Sequence, residues 1–194
     1  MTALIQIVKV THIFSAILMA WPYYALVAAN QRARLGPPLG GREDVFFENM
    51  VKNRVIPCYV FQGTAFVTGL ALVLLRGLGW DALISNPMLL LKLLLGAGIT
   101  ALLTYVYINL QPQIDALFAQ ASDPVPADVA SRIGALRRLR TRLATVCMSL
   151  VLIISMLGVQ VWMPFPVWLT ALLVVAIAAF TWRAYKTGTP FGWV

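Results

Sequence analysis

The chain has 194 residues, of which 60% are hydrophobic and 11% are charged, and its formal net charge is +8. A soluble domain carries roughly a quarter charged residues, so this composition excludes an ordinary soluble protein and indicates one that dissolves in lipid. The positive charge does not indicate a nucleic-acid partner, because that function needs a basic surface on a polar module and every long segment here is apolar. We expect one bundle of membrane helices and no separate domain outside the bilayer.

Five apolar segments predict an all-α, polytopic transmembrane helix bundle. At a rise of 1.5 Å per residue, about 20 apolar residues cross the hydrocarbon core of a bilayer. The segment between Pro87 and Pro112 meets this requirement, and its single charged residue is Lys92. The predicted spans, in chain order, cover residues 4–29, 55–76, 88–111, 143–163 and 167–182.

The first predicted span has no basic region ahead of Lys9, so we expect it to be retained as an anchor rather than cleaved as a signal. Pro22 removes a backbone donor within this span and predicts a kink near residues 21–24. In the second span, Ala65 and Gly69 are four residues apart and predict a surface that another helix can approach closely.

The segments between the spans differ in character. Residues 30–54 are polar, contain a Gly-Pro-Pro break at 36–38 and are predicted to form a loop. Residues 126–142 place leucines on one side and arginines around them, which predicts a basic amphipathic helix at the membrane surface. The Pro-Phe-Pro sequence at 164–166 predicts a tight turn between the fourth and fifth spans.

The distribution of basic residues predicts the orientation of the bundle. Segments 30–54 and 113–142 each hold five Lys or Arg residues, whereas the opposite loops hold Arg76 at a helix boundary. The positive-inside rule therefore predicts an N-terminus outside and a C-terminus in the cytoplasm, in the bacterial cytoplasmic (inner) membrane. Arginines on the cytoplasmic side are candidate contacts for anionic phospholipid headgroups, namely Arg32, Arg34, Arg54, Arg137, Arg138, Arg140 and Arg142.

This topology predicts one polar site in the outer half of the bundle. By helical rise, His12 lies about 12 Å deep and Lys92 about 6 Å deep, and Gln160 reaches a similar level. Lys9 lies one turn above His12, and Tyr23 continues the polar line down the first span. Ionisable groups inside a bilayer are costly and indicate a ligand-binding site, whereas the structural alternative is snorkelling lysines and a histidine hydrogen-bonded to a neighbouring helix.

The available ligands limit the cofactors. All seven acidic residues are predicted to lie in loops or at helix ends, so no intramembrane carboxylate is available for a proton relay or a di-metal centre. His12 is the one histidine, which excludes a haem held by two histidines of this chain. A haem held by His12 with Met148 or Met156 stays open, and so does copper bound by His12 and Met19.

No catalytic motif is present. The chain contains no glycine-rich phosphate loop, no nucleophile elbow and no zinc-ligand spacing, so it is expected not to be an enzyme. Cys58 and Cys147, near the cytoplasmic ends of the second and fourth spans, are predicted to be small buried hydrophobic residues rather than a disulfide.

Four features support a resemblance to a known family. These are His12 in the first span, the PMLLLKLLL run at 87–95, the NLQPQ segment at 109–113, and the RRLR segment at 137–140 ahead of another span. Over residues 5–160 the chain resembles the copper-resistance D-like (CopD-like) membrane domain and its uncharacterised relatives. The resemblance implies copper uptake as a function, with His12 and Lys92 as the residues that match the family pattern.

Three functions therefore stay open. The first is a noncatalytic accessory subunit of a larger membrane complex, for example an electron-transfer or photosynthetic complex, with other integral membrane subunits as partners. The second is a copper or small-solute permease, and the third is a haem- or quinone-binding membrane subunit that uses His12 and Lys92. We favour the first function because it assigns the fewest chemical roles to individual side chains.

Overall fold

The computed structural model describes residues 2–21, 23, 25, 42–120, 125–161 and 163–187. Within these ranges the chain folds into helices without strands, which confirms the predicted all-α class. The helices in chain order are α1 (Thr2–Leu18), α2 (Arg42–Lys52), α3 (Val55–Leu75), α4 (Ala82–Ser85), α5 (Pro87–Tyr105), a π-helical segment (Val106–Leu110), α6 (Gln111–Gln120), α7 (Ala127–Gln160) and α8 (Val167–Thr187).

Four continuous helical stretches in the described ranges are long and apolar enough to cross a membrane. In the most apolar 18-residue segment of each stretch, 6% to 22% of the residues are buried inside the molecule. Most of the apolar surface therefore faces outward, as lipid contact requires. Helix α1 is apolar but shorter, at 17 residues, and the predicted first span 4–29 continues into residues outside the described ranges. The four stretches, which indicate a membrane protein, are Asp44–Leu75, Pro87–Gln120, Ala127–Gln160 and Val167–Lys186.

These helices extend beyond the predicted spans into the basic segments 30–54 and 113–142. Residues 42–52, predicted as part of a loop, form α2, and helix runs on from there into α3. The amphipathic helix predicted at 126–142 and the span predicted at 143–163 are one 34-residue helix, α7, because no proline interrupts the sequence between them.

The predicted end of the third span at Pro112 is also wrong, because the helix continues to Gln120. Proline cannot donate a backbone hydrogen bond, and its ring collides with the carbonyl four residues earlier in a regular helix. The chain widens into a π-helical turn over Val106–Leu110, where the N–H of Gln111 donates to the carbonyl of Val106 five residues earlier. The π-helical turn accommodates Pro112 without ending the helix.

Helix α7 is the centre of the bundle. It packs mainly against α5 and α8, and it also contacts α1, α6 and the π-helical segment, whereas α1 packs mainly against α3. One buried cluster joins Met19, Ile99 and Val151, and a second joins Tyr23, Met148 and Ala184. Residues that follow α1 therefore insert between the apolar faces of α7 and its neighbours.

Polar side chains connect α3 to α5 within their apolar lengths. The hydroxyls of Tyr59 and Thr104 lie 2.7 Å apart, and the hydroxyl of Thr100 donates to Oε1 of Gln62 over 3.3 Å. The ring of Tyr59 also meets that of Tyr107 edge to face, with 6.5 Å between centroids. Such contacts between membrane helices contribute about 1 kcal/mol each, so they set the register of the two helices more than they stabilise the fold.

Candidate functional site

His12 connects α1 to α3. Its Nδ1 lies 2.8 Å from the carbonyl oxygen of Ala65 and 3.1 Å from Oγ1 of Thr68. Because a carbonyl oxygen can only accept, this geometry assigns the proton of a neutral ring to Nδ1 and leaves Nε2 as the acceptor. The one histidine of the chain is therefore used, through one of its two nitrogens, to hold two helices together.

Gly69 provides the space for the imidazole ring. A Cβ added at Gly69 would lie 3.1 Å from Cε1 of His12, whereas a Cβ added at Gly63, on the same helix, would meet no atom within 4 Å. The small-residue surface that the sequence predicted around Ala65 and Gly69 is thus the surface on which α1 packs. This close approach brings the ring within hydrogen-bonding distance of the α3 backbone.

Lys92 lies within electrostatic range of His12. The Lys92 ammonium acts electrostatically on the imidazole, and its Nζ lies 3.8 Å from the position that a Cβ would take on Gly158 of α7. No ion-pair partner of Lys92 occurs among the described residues. Lys9 is half-buried one turn before His12. We call His12, Thr68, Gly69 and Lys92 the histidine site.

The other predicted ligand-binding residues have partners outside the histidine site. Gln160 bonds across to α8, where its Nε2 donates to Oγ1 of Thr170 over 2.6 Å, and its buried Oε1 has no hydrogen-bond partner in the part of the chain that the structure describes. Tyr23 is buried against Met148 and Ala184. Met19, predicted as a copper ligand with His12, is buried in the cluster with Ile99 and Val151. Across the described ranges, no group of three or more His, Cys, Asp or Glu side chains is placed to hold a metal ion.

A second polar group, which the sequence did not predict, joins α2, α6 and α7. Glu48 accepts hydrogen bonds from Nε and Nη2 of Arg137 over 3.1 and 3.0 Å, and from Nη1 and Nη2 of Arg140. Gln111 connects the two charges, because its Nε2 donates to Glu48 over 2.9 Å and its Oε1 accepts from Arg140 over 2.8 Å. Nη1 of Arg137 also lies 3.6 Å from Oδ1 of Asp44. We call these five residues the ion-pair cluster.

Burial makes the ion-pair cluster energetically important. The exposed fraction is 0% for Asp44, 6% for Glu48 and 3% for Arg140. Burial alone raises the pKa of Glu48, but the hydrogen bonds and charges of Arg140, Gln111 and Arg137 outweigh it and lower that pKa to about 2. Glu48 lies in the polar helix α2, ahead of α3 (Val55–Leu75), the apolar part of the stretch Asp44–Leu75, and its carboxylate is therefore ionised at every physiological pH.

A solvent-exposed ion pair lies at the edge of the ion-pair cluster. Nζ of Lys52 lies 2.6 Å from Oδ2 of Asp115, and this hydrogen bond raises the pKa of Lys52. Oδ1 of the same Asp115 accepts from Nε2 of Gln111 over 3.1 Å, which links the exposed pair to the buried residues. The guanidinium of Arg137 also stacks 5.0 Å above the ring of Phe118.

The arginines predicted to bind lipid headgroups divide into two sets. Arg140 is buried and Arg137 is half-buried, and both point to Glu48 rather than away from the molecule. Arg138 and Arg142 are exposed, and Arg142 lies 5.2 Å over the ring of Tyr185. In a similar arrangement, Arg54 lies 5.3 Å over the ring of Trp21 and Lys186 lies 4.6 Å over that of Trp182. Arg32 and Arg34 lie outside the described residues.

One signal for the ion-pair cluster is visible in the sequence. Asp44 and Glu48 are four residues apart, as are Gln111 and Asp115, and Arg137 and Arg140 are three apart, which places each pair on one face of a helix. The expectation that the acidic residues lie in loops or at helix ends concealed this signal, and it is wrong for Glu48, which lies in the middle of α2. Asp44 lies in the first turn of α2, and both residues are buried.

Comparison of the chain with family models, with curated proteins and with solved structures finds no match. The resemblance to the copper-resistance D-like domain therefore stays a prediction.

Proposed function

We propose that this chain is a noncatalytic accessory subunit of a larger membrane complex in the bacterial cytoplasmic membrane. The observation that carries the proposal is that Glu48 and His12 are each bonded to other groups within the molecule. Glu48 is held by two arginines and a glutamine, and His12 is bonded to the backbone and a hydroxyl of α3. Groups held in this way stabilise helix packing, and a reaction would require them to be released.

The outward surface of α8 supports the same proposal. Among the described helices, α8 packs against α7. In the most apolar 18-residue segment of α8, 6% of the residues are buried inside the molecule. Its exposed large side chains follow helical spacing and form one stripe, with Trp168, Leu172, Val175 and Trp182 between 59% and 69% exposed. A stripe of this kind is suited to contact with lipid or with a helix of another subunit.

The proposal includes five spans with the N-terminus outside. Exposed tryptophans at both ends of the helices support the membrane crossings, because aromatic side chains are enriched at both interfaces. In the proposed orientation Trp80 and Trp168 would lie on the outer side and Trp182, paired with Lys186, on the inner side. Site-directed labelling tests the orientation. A cysteine introduced at exposed Ser131 should react with a membrane-impermeant reagent only after the cells are broken, and one introduced at Asp81 should react in intact cells.

Copurification tests the accessory role. The chain, extracted in a mild detergent, should migrate with a partner protein in a fixed ratio, and a photo-crosslinker placed at Leu172 of α8 should capture that partner. The matched control is a crosslinker at Phe66 of α3, an exposed apolar position on a different helix. A chain that migrates alone and gives no crosslink from either position would contradict the proposal.

A second candidate function is binding of a quinone or haem group at the histidine site. One observation favours it over copper transport: the Lys92 ammonium lies within electrostatic range of His12, and a cation there repels a metal ion but attracts a quinone oxygen or a haem propionate. Purified protein should then contain an extractable quinone or a Soret band that Lys92→Met removes. Absence of both from protein purified from its native membrane would contradict this function.

A further inference from the structure

Helix α7 carries two pairs of arginines on different sides. Arg137 and Arg140 bond to Glu48 in the ion-pair cluster. Successive residues advance about 100° around an α-helix, so the midpoint of Arg138 and Arg142 lies roughly 150° away from that of the first pair. Both residues of the second pair are exposed, and they lie about one turn apart on the same face of α7. The second pair therefore faces away from the ion-pair cluster.

The second pair of arginines meets aromatic side chains of α8. The guanidinium of Arg142 lies 5.2 Å over the ring of Tyr185. Nζ of Lys186, the next residue, lies 4.6 Å over the ring of Trp182. A guanidinium over a ring binds it through its flat face, and its N–H donors lie at the edge, where they can reach an acceptor. We call Arg138, Arg142, Trp182, Tyr185 and Lys186 the basic-aromatic face.

The cations of the basic-aromatic face are not neutralised by carboxylates of the described chain. Arg138, Arg142 and Lys186 have no ion-pair partner among the described residues. The carboxylates of the ion-pair cluster and of Asp115 are paired with other cations. The basic-aromatic face therefore offers three positive charges to an anion that is not part of the described chain.

The basic-aromatic face lies one membrane thickness from the other end of α7 and α8, where Gln160 donates to Thr170. At 1.5 Å per residue, Arg142 is about 27 Å from Gln160 along α7, and Tyr185 is about 23 Å from Thr170 along α8. The hydrocarbon core of a bilayer is about 30 Å thick. When the two helices cross the bilayer, the basic-aromatic face therefore reaches the level of the lipid phosphates.

The apolar stripe of α8 ends at the basic-aromatic face. Val175, Trp182 and Lys186 follow one another at spacings of seven and four residues, so they lie on the same side of α8. Val175 and Trp182 are exposed, and both are side chains of the kind that lipid contacts. A molecule with an anionic head and an apolar tail matches this surface, whereas a soluble anion matches only its charged end.

We propose that the basic-aromatic face binds the phosphate of one anionic phospholipid, such as phosphatidylglycerol, and that this lipid ties α8 to α7. Arg138 and Arg142 of α7 donate to the phosphate oxygens, and Lys186 of α8 attracts the same headgroup. Because α8 packs mainly against α7, a headgroup held by both helices strengthens the main contact that keeps α8 in the bundle.

This inference goes beyond the proposed accessory role. It requires that α7 and α8 cross the membrane, but it requires no protein partner, so a chain that purifies alone leaves it intact. It also changes the set of arginines that the sequence predicted as headgroup contacts. Arg137 and Arg140 leave that set because they bond to Glu48, and Lys186 with its two aromatic neighbours on α8 joins it.

The test is native mass spectrometry of the full-length chain, released from micelles that contain phosphatidylglycerol or, as the zwitterionic control, phosphatidylcholine. We expect one retained phosphatidylglycerol per chain and at least tenfold weaker retention of phosphatidylcholine. Arg138→Gln and Arg142→Gln should each weaken binding about fivefold, and the double variant about 25-fold. The matched control is Arg132→Gln, at an exposed arginine about 9 Å further along α7, which should change binding little.

Substitutions at Tyr185 test the contribution of the ring. Tyr185→Phe keeps a ring under the guanidinium of Arg142 and should bind phosphatidylglycerol as the unmodified protein does. Tyr185→Leu removes the ring and should weaken binding about threefold. Equal binding by the two variants would exclude the ring from the site.

Thermal unfolding of the unmodified protein gives a readout that needs no variant. Phosphatidylglycerol should raise the midpoint of unfolding, and phosphatidylcholine should not. Equal shifts with the two lipids, or an equal loss of binding in Arg132→Gln and Arg142→Gln, would overturn the site. Displacement of the lipid by inorganic phosphate would replace it with a soluble anion. A copurifying protein that Arg142→Gln releases, with lipid retention unchanged, would assign the basic-aromatic face to a protein partner instead.

Discussion

The ion-pair cluster and the histidine site use polar groups inside a largely apolar molecule in different ways. In the ion-pair cluster, carboxylates, guanidinium groups and an amide from three helices bond to one another, and burial is almost complete. In the histidine site, one ring bonds to the backbone of one helix, and the nearby ammonium of Lys92 has no ion-pair partner among the described residues. The ion-pair cluster therefore fixes how three helices meet, whereas the histidine site retains a charge without an ion-pair partner among the described residues.

Removal of the Glu48 carboxylate should have the largest effect on stability. Glu48→Ala leaves Arg140 buried without its charge partner, and breaking a buried pair in this way costs about 3–5 kcal/mol. The measurement is the free energy of unfolding of the detergent-solubilised protein in a denaturant titration. The control is Asp81→Ala, at an exposed carboxylate that makes no capping hydrogen bond.

A double substitution tests whether the loss comes from the unpaired charge of Arg140. Replacing Glu48 and Arg140 together, by Leu and Met, removes both charges, so the double variant should be more stable than Glu48→Ala alone. A double variant that loses as much stability as the two single losses added together would show that the two residues do not interact.

Acid should destabilise the protein through the same carboxylate. The pKa of Glu48 is lowered from 4.5 to about 2, so its ionisation favours the folded state above pH 4.5 and that stabilisation is lost as the pH falls from 4.5 towards 2. At 1.36 kcal/mol per pKa unit, the full effect is roughly 3 kcal/mol. Unfolding measured between about pH 6 and about pH 2 should show this loss, and Glu48→Gln should flatten the curve. An equal slope in both proteins would exclude Glu48 as the source.

Changes at the histidine site should cost less. His12→Ala removes one hydrogen bond between membrane helices and should destabilise the protein by about 1–2 kcal/mol. Gly69→Ala should cost about 1 kcal/mol by pushing against the imidazole ring, and Gly63→Ala, which meets no neighbour, should be neutral or slightly stabilising. Equal changes in the free energy of unfolding for Gly69→Ala and Gly63→Ala in the same denaturant titration would contradict the close contact between α1 and α3.

The smallest effect is expected at the exposed edge of the ion-pair cluster. The side chains of Lys52 and Asp115 are 45% and 35% exposed, and an exposed ion pair contributes about 0–1 kcal/mol that salt screens. Lys52→Met should therefore change unfolding by less than Glu48→Ala, and the difference from the unmodified protein should shrink in high salt. A loss as large as that of Glu48→Ala would mean that the pair belongs to the buried network.

The apolar runs were sufficient to predict helices and the all-α class, because membrane crossing depends on length and composition. Pro112 and the polar residues 42–52 predicted helix breaks that the structure does not have, since a π-helical turn accommodates the proline and hydrogen bonds from the arginines of α7 to Glu48 hold α2. The ion-pair cluster could not be predicted as a unit. The contacts of Glu48 with Gln111 and Arg140 join segments far apart in the chain, and only the packed bundle brings these segments together.

The wide turn at Val106–Leu110 decides which residues reach Glu48. One additional residue in a turn rotates everything that follows by about 100° around the helix axis. Gln111 and Asp115 point towards Glu48 and Lys52 because of that rotation. If the same residues were wound as a regular α-helix, Gln111 and Asp115 would turn about 100° away from Glu48 and Lys52, whereas deleting one residue from the turn would restore an ordinary winding and leave both side chains in place. The five-residue segment therefore acts as an angular spacer for this end of the helix.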